Sequence, residues 1–194
     1  QQGVWPSYVV ENLIPRLNGF EFMMAPYTIA HLKLGMSFQN SGVTDLKERI
    51  RVYLTNTLEE GIYHQPDLFN FGLADAVTEE SRQAGIIKTD RPIMVVLGNP
   101  PWAALTSNIS EYATCLIDKY KYEPGGQVKL QERKQWLQDD YLKFLAFAED
   151  MINRSGEGIV GMITNHGYLH NKTSRGVRWH LARTFDKISA LDLH

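Results

Sequence analysis

The chain has 194 residues, a formal net charge of −2, and 43% hydrophobic and 22% charged residues, a composition typical of a soluble globular protein large enough for one domain core. Cys115 is the single cysteine, which excludes an intramolecular disulfide and indicates a reducing, cytoplasmic location. The charge balance argues against a complete nucleic-acid interface, although it leaves room for a local basic groove.

The sequence predicts neither a membrane partner nor a metal site. No apolar run approaches the roughly 20 residues of a membrane-spanning helix, and the amino terminus lacks a basic segment followed by an apolar one. The cysteine and histidine spacing fits no zinc site. The first residue is Gln1 rather than methionine, which is consistent with a piece of a longer chain.

The first 90 residues are predicted to alternate between helices and strands. The predicted elements are a helix over 5–17 interrupted near Pro15, a strand over 19–22, a helix that begins at Ala25 and Pro26, a strand over 51–54, and a helix within 67–90. Pro26 suits the first turn of its helix, where the missing N–H costs little.

The remaining residues continue this alternation. They contain a strand over 94–97, an amphipathic helix over 141–152 and two further strands over 159–163 and 188–193, with an irregular insertion over 103–135. Because strands alternate with helices, the sequence predicts an α/β fold with a mostly parallel sheet.

The most informative motif follows the strand over 94–97. Gly98 separates that strand from the NPPW turn, which consists of Asn99, Pro100, Pro101 and Trp102. An apolar run bounded by glycine and proline predicts a buried strand that ends in a tight turn. Since ligands of open α/β sheets bind beyond the carboxyl ends of the strands, the NPPW turn is expected at an active-site edge.

The residue types of the NPPW turn fit the activation of an aromatic amine, whose lone pair is delocalised into its ring. The Asn99 side-chain oxygen and the Pro100 carbonyl can accept hydrogen bonds from the amine and draw its nitrogen toward a tetrahedral, nucleophilic geometry. Pro101 stiffens the turn, and Trp102 offers a ring face on which a base can stack, worth about 1–3 kcal/mol. The simpler alternative is a strand-to-loop turn with a buried tryptophan.

The segment over 96–102 resembles the catalytic motif of methyltransferases that use S-adenosyl-L-methionine (AdoMet) to modify amino groups, chiefly the N6-adenine DNA methyltransferases. Tyr or Phe is commoner in that family at the position of Trp102. The resemblance implies a Rossmann-like AdoMet-dependent methyltransferase fold, AdoMet as cofactor, double-stranded DNA as partner and a catalytic role for the NPPW turn. It implies no metal.

Two earlier segments resemble cofactor-binding strand ends of the same family. Residues 18–21 resemble the second cofactor strand, whose terminal acid, here Glu21, binds the ribose hydroxyls of AdoMet. Residues 53–58 resemble the next strand end, where Asn56 replaces the usual Asp that meets the adenine of the cofactor. From the residues alone, Glu21 could equally be a capping or surface acid, and Asn56 a turn residue that closes its strand.

Residues 136–141 and 158–166 resemble one subgroup, the large bacterial restriction-modification polypeptides in which methyltransferase, helicase-like motor and nuclease are fused. The family's Gly-rich first cofactor loop has no counterpart here. The resemblance therefore implies a partial catalytic domain, incomplete on its N-terminal side, within a larger polypeptide. Residues 1–90 would form part of the cofactor-binding half, and residues 91–194 the catalytic turn and target-base half.

Further candidates for substrate contact surround the later elements. Asn165 and His166 follow a predicted strand and could line the pocket of the target base, or be ordinary loop residues. Two basic clusters could contact phosphates, or be solvated. The first consists of Lys119, Lys121, Lys129, Arg133 and Lys134, interleaved with Tyr120 and Tyr122, and the second consists of Lys172, Arg175 and Arg178.

The implied function is transfer of a methyl group from AdoMet to the N6 amino group of adenine in DNA, as part of a restriction-modification enzyme that rotates its target base out of the duplex. One alternative is AdoMet-dependent methylation of RNA or of a protein glutamine. Another is a fragment that is inactive on its own and acts at most as a binding module, because the strands ending at Glu21 and Gly98 would lack the neighbour between them.

Overall fold

The computed structural model describes residues 4–44, 46, 48–60, 73–102, 108–131 and 137–192. The chain forms two compact units, Gln1–Arg91 and Pro92–His194, and each is described by itself. Both units combine helices with short parallel strands, so the chain is a mixed α/β protein, as the sequence predicts. In the described residues no helix is both long and apolar enough to cross a bilayer.

The first unit begins with helical turns of changing type. Helix α1, Trp5–Tyr8, passes into a π-helical turn, Val9–Leu13, and then into a 3₁₀ turn, Ile14–Arg16. The predicted interruption near Pro15 is confirmed, since its ring removes a hydrogen-bond donor and cannot continue a regular helix.

The first sheet has two parallel strands. Strand β1, Gly19–Glu21, precedes helix α2, Met24–Asn40, and strand β2, Val52–Leu54, precedes helix α3, Leu73–Asp90. In register, the first residue of β1 lies opposite the first residue of β2. The predicted helix within 67–90 is confirmed over α3, while residues 67–72 lie outside the described part. One hydrophobic cluster in the described part of this unit consists of the buried side chains of Val9, Ile14, Phe38 and Val43.

Side chains close the outer edge of β2. The carbonyl oxygen of Val52 accepts hydrogen bonds from His31 Nε2 at 3.2 Å and from Arg49 Nη2 at 2.8 Å. The amide of Leu54 donates to Glu80 Oε2 at 3.1 Å. Because these polar groups are satisfied by side chains, β2 is the end of its sheet.

The second sheet also has two parallel strands. Strand β3, Val95–Gly98, pairs with strand β4, Ile159–Met162, so that Val95 lies opposite Ile159. Helix α5, Asp140–Ser155, packs on one face of this sheet and confirms the helix predicted over 141–152. The helix ends at Gly156, which has a φ of 83° and donates its amide to carbonyls of the last turn.

The opposite face of the second sheet is exposed. Side chains of Val95, Leu97 and Ile159 are 56%, 76% and 65% exposed. The prediction that the apolar run over 93–97 is a buried strand is therefore correct for the strand and wrong for its burial. Parallel strands are normally covered on both faces, whereas in the described residues of this unit only the α5 face is covered.

The insertion over 103–135 is structured in its described part, 108–131, so the prediction of an irregular segment is wrong there. It contains helix α4, Glu111–Leu116, a 3₁₀ turn, Asp118–Lys121, and an antiparallel bridge between Tyr122 and Lys129. The turn and the bridge pack against the helix formed by Arg175–Thr184, and Tyr120 inserts into the core of the unit, where it is fully buried.

The last elements are short helices. Helix α6, Gly167–His170, a 3₁₀ turn, Lys172–Ser174, and helix α7, Arg175–Thr184, follow β4. The strand predicted over 188–193 is wrong, since residues 188–192 have no regular structure. A strand needs a partner for its backbone groups, and within the described residues β3 and β4 pair only with each other.

Candidate functional site

Glu21 and Asn56 lie at the same edge of the first sheet. The amide of Thr55 donates to the carbonyl oxygen of Glu21 at 2.9 Å, so the residue after Thr55 stands beside the end of β1. Because β1 and β2 are parallel, both predicted cofactor residues follow the carboxyl ends of their strands, where ligands of α/β sheets bind.

The Glu21 carboxylate stands immediately before helix α2. Its Oε1 accepts a 2.8 Å hydrogen bond from the amide of Met23, the residue that precedes the helix. Within the described residues its second oxygen, Oε2, has no hydrogen-bond partner. The carboxylate is therefore oriented by one backbone donor and keeps an oxygen available for hydroxyl donors.

The Asn56 side chain forms a turn. Its Oδ1 accepts from the amide of Leu58 at 3.0 Å, and its Nδ2 donates to Glu59 Oε1 at 3.0 Å. This geometry matches the turn-residue interpretation of Asn56, in which an Asx side chain closes the strand.

Lys88 supports the same turn and was not identified from the sequence. It lies in the last turn of α3, is 3% exposed, and donates to the carbonyls of Asn56 at 2.7 Å and Glu59 at 2.9 Å. Its ammonium also lies 5.2 Å from the centre of the Phe20 ring. Burial lowers the pKa of Lys88 to about 8, against the opposing charge of Glu59. A lysine near a helix end gives no sequence signal of such burial.

The NPPW turn directly follows strand β3. The amide of Ile163 donates to the carbonyl of Gly98 at 3.0 Å, so the segment after β4 runs beside the NPPW turn. A Cβ atom at Gly98 would lie 2.9 Å from Met162 Sδ, so a larger residue there would require the methionine side chain to move. The expected placement of Asn165 and His166 at the same edge as Asn99 follows from this register.

The four residues of the NPPW turn differ in exposure. Pro100 is buried, whereas Asn99 and Pro101 are exposed and Trp102 is 56% exposed. The burial of tryptophan expected in the simpler alternative is therefore wrong, whereas its strand-to-loop turn agrees with the structure. The Trp102 ring and the Asn99 amide are accessible to a ligand at the edge of the sheet.

Asn108, beyond the NPPW turn in the chain, is anchored to helix α5. Asn108 Nδ2 donates to Asp140 Oδ2 at 2.8 Å, and the fully buried Lys143 donates to the Asn108 carbonyl at 2.5 Å. Burial lowers the pKa of Lys143, and the neighbouring Asp140 carboxylate opposes that shift. Sequence reasoning missed this pair, because the apolar periodicity of α5 gives no sign that a lysine lies in the core.

The predicted base-pocket residues have local roles. Asn165 Oδ1 accepts from the amide of Gly167 at 2.7 Å, which places Asn165 as a turn residue before α6. The ring of His166 lies 6.4 Å from that of His170. The hydrogen bond of Asn165 therefore agrees with its interpretation as an ordinary loop residue. Both Asn165 and His166 follow β4 at the same sheet edge as Asn99.

Two of the three residues of the second basic cluster, Arg175 and Arg178, bind other residues of the same unit. Arg175 forms a two-pronged ion pair with Glu123, at 2.7 and 2.5 Å. Arg178 Nη1 donates to the carbonyls of Tyr168 and Asn171 at 2.7 and 2.8 Å. Phosphate contact by these arginines stays a prediction, because their partners within the fold leave some guanidinium donors unassigned, and Lys172 is exposed.

Two lysines of the first basic cluster form ion pairs within the fold. Lys119 pairs with Glu149 at 2.8 Å, and Lys121 pairs with Asp118 at 2.6 Å. Tyr120 is fully buried, so its expected stacking with an unpaired base is wrong. Lys129 and Tyr122 stay candidates, and Arg133 and Lys134 lie outside the described residues.

Glu149 is the hub of a buried network that links α5 to the insertion and α7. Its fully buried carboxylate accepts from Tyr120 Oη, His180 Nδ1 and Thr184 Oγ1, each at 2.7 Å, besides the Lys119 ammonium. Burial alone would raise the pKa of Glu149, but Lys119 and these hydroxyl donors hold that pKa below its ordinary value. Burial also raises the pKa of Tyr120 well above its usual range. This network fixes the insertion to the core.

Comparison of the chain with protein families, with curated proteins and with solved structures finds no match. Among the residues that the structure describes, no group of three His, Cys, Asp or Glu side chains could hold a metal ion. The functional assignment therefore depends on the residues that follow the carboxyl ends of the strands in the two sheets.

Proposed function

We propose that this chain is part of an AdoMet-dependent methyltransferase that modifies the N6 amino group of adenine in DNA, within a restriction-modification enzyme of Rossmann-like fold. The observation that carries the proposal is the NPPW turn, which follows a parallel strand with Asn99 and Trp102 accessible. Amide, carbonyl and aromatic face are the groups that an extruded base with an exocyclic amine requires.

In the proposed mechanism the NPPW turn binds the target base. Trp102 stacks on the extruded ring, and the Asn99 side-chain oxygen and the Pro100 carbonyl accept the two N–H groups of the amine. This arrangement localises the nitrogen lone pair and aims it at the methyl donor. Most of the rate gain then comes from positioning.

The first unit is proposed to bind the cofactor. The Glu21 carboxylate, oriented by the Met23 amide, would accept the ribose hydroxyls through its available oxygen. AdoMet supplies an already activated methyl group. Lys88 stabilises the Asn56 turn by donating to its backbone. In the proposal this turn forms one wall of the cofactor site with its backbone groups, because the Asn56 amide side chain is engaged within the turn.

A second candidate function is a non-catalytic piece that binds other parts of a larger polypeptide. The exposed apolar face formed by Val95, Leu97 and Ile159 favours it, because such a face of a parallel sheet is normally covered.

Calorimetric titration of AdoMet into the 194-residue chain tests the cofactor role, with Glu21→Ala as the test variant and the exposed Glu11→Ala as its control. Binding that Glu21→Ala weakens and Glu11→Ala leaves unchanged supports the proposal. Binding that neither substitution weakens contradicts the role of Glu21, and absence of binding favours the second candidate.

A further inference from the structure

The insertion of the second unit contains a tight hairpin, here called the 122–129 hairpin. Tyr122 and Lys129 form its antiparallel bridge, and the amide of Glu123 donates to the carbonyl of Val128 at 2.7 Å. Gly125 and Gly126 turn the chain with φ values of 110° and 74°, which side chains other than glycine rarely adopt.

Helix α7 supports this hairpin along one stripe of its surface. A Cβ atom at Gly176 would lie 2.4 Å from the carbonyl oxygens of Tyr120 and Tyr122, so the hairpin touches the helix backbone there. One turn further along, the Trp179 ring lies against Gly126. The Glu123–Arg175 ion pair closes the same contact. The hairpin and the helix therefore form one rigid ridge.

Besides Arg178, which donates to two backbone carbonyls, Lys129 and Arg183 on this ridge have no acidic partner within 4 Å in the described part of the chain. The Lys129 ammonium lies 5.8 Å from the centre of the Tyr122 ring, and the Arg183 guanidinium lies 5.1 Å from that of Trp179. Nearby cations are neutralised, since Lys121 pairs with Asp118 and Arg175 with Glu123. Among the described residues, Lys129 and Arg183 are thus positive charges without an ion-pair partner, each beside an aromatic ring.

A polar cavity of about 280 Å³ opens beside the hairpin. Its walls are formed by Asp118, Lys121, Tyr122, Lys129 and Gln138. Among the described residues of its wall, two ammonium groups stand against one carboxylate. The cavity is large enough to admit a phosphate group, and the exposed Lys129 lies in its wall as an ammonium donor.

We propose that this ridge, formed by the 122–129 hairpin and α7, binds the phosphate backbone of nucleic acid through Lys129 and Arg183. The proposal rests on the proposed function, because it assigns the phosphate contacts of the same methyltransferase to a specific surface. Lys129 places one phosphate over the cavity, and Arg183 binds a second phosphate beside Trp179. The paired residues Arg175 and Glu123 hold the ridge rigid and contribute no net charge.

Nucleic acid fits this surface better than an anionic membrane does. Its phosphates recur along a line and its bases present flat faces, which matches two separated cations that each neighbour an aromatic ring. A lipid surface would instead reward an apolar face with many basic residues around it.

Fluorescence anisotropy with a labelled DNA duplex of about 20 base pairs tests the proposal. The titrations use the 194-residue chain without AdoMet at several salt concentrations, for the wild type and for Lys129→Gln, Arg183→Gln, Lys129→Arg and Arg154→Gln. Arg154 is the matched control because it is a cation already paired with Asp150. Circular dichroism verifies that each variant is folded.

We expect Lys129→Gln and Arg183→Gln each to lower the affinity about tenfold at 50 mM salt and to reduce the slope of log K against log salt by about 1. Lys129→Arg keeps the charge and is expected to keep the slope. Unchanged affinity in both glutamine variants, absence of DNA binding by the wild type, or binding to anionic phospholipid vesicles without binding to DNA would each overturn the proposal. If the salt slopes change as expected but the enzyme that contains this chain does not methylate the same duplex in the presence of AdoMet, the ridge proposal stands and the proposed function is contradicted.

Discussion

The amide nitrogen of Ile163 donates a 3.0 Å hydrogen bond to the carbonyl oxygen of Gly98. This bond continues the β3–β4 ladder beyond Met162 and sets the chain after β4 beside the NPPW turn. The edge that carries Asn99 is thereby joined to the loop that carries Asn165. Two strand ends of one unit consequently supply the surface on which the proposed chemistry depends.

The buried Glu149 network predicts both a stability loss and an acid sensitivity. Glu149→Ala should lower the free energy of unfolding by about 3 kcal/mol or more, because it leaves buried donors without an acceptor. The folded pKa of Glu149 is depressed, so its contribution is present above the unfolded pKa and is lost as pH falls through the folded value.

Urea denaturation of the wild type and of Glu149→Ala between pH 7 and pH 3 measures both effects. The difference in unfolding free energy should shrink toward the acid end. The exposed Glu157→Ala is the control and should change stability by less than about 0.5 kcal/mol. An equally small effect of Glu149→Ala would contradict the structural role of the network.

Lys88 predicts a stability change in alkaline solution. Its folded pKa of about 8 lies below the unfolded value of 10.5, so between these values the unfolded chain binds more protons than the native protein. Stability should therefore rise with pH across this window, by about 2–4 kcal/mol for this group. Chemical denaturation at pH 7.5 and pH 10 should show the rise in the wild type relative to Lys88→Met. Parallel curves for the two proteins would show that Lys88 is not desolvated.

Two glycine substitutions of opposite sign test the ridge. Gly176→Ala should lower the melting temperature, because its Cβ would meet the carbonyl oxygens of Tyr120 and Tyr122 at 2.4 Å, and the expected cost is about 2 kcal/mol or more. Gly35→Ala lies within α2, meets no atom within 4 Å, and should stabilise the protein by about 0.5–1 kcal/mol. Scanning calorimetry of both variants measures the change in melting temperature. A melting temperature for Gly176→Ala equal to that for Gly35→Ala would contradict the close contact between Gly176 and the two carbonyl oxygens.

Trp102 predicts a selective loss of base binding. Because its ring is 56% exposed and supports no core cluster, Trp102→Ala should leave the fold and AdoMet affinity within a few-fold of the wild type. It should weaken binding of duplex DNA with a mismatched target adenine by about 1–3 kcal/mol. The measurement is duplex affinity with matched and mismatched target pairs. Equal loss of DNA and AdoMet binding would argue against stacking.

Local signals in the sequence were sufficient for several elements. The apolar run before Gly98 predicts strand β3 and its turn, since glycine and proline act within a few residues. The periodicity over 141–152 predicts α5 in the same way. The parallel register that sets Glu21 beside Asn56 follows from a strand-helix alternation.

Other features depend on tertiary partners that no local pattern encodes. The exposure of Leu97 depends on what covers the sheet, and residues 188–192 form no strand because they pair with neither edge of the β3–β4 sheet in the described structure. Arg175 has the residue type of a phosphate ligand, yet Glu123, 52 residues earlier, neutralises it. Lys88 and Lys143 are likewise buried because residues distant in the sequence pack around their side chains.

The most direct test of the proposed function is methyl transfer to duplex DNA by the enzyme that contains this chain, for the wild type and Asn99→Ala, with AdoMet affinity measured in parallel. Asn40→Ala, at the end of α2, serves as the control. We predict that Asn99→Ala abolishes methylation of adenine while AdoMet affinity stays within a few-fold. Methylation at the wild-type rate by Asn99→Ala would contradict the role of the NPPW turn and with it the proposed function.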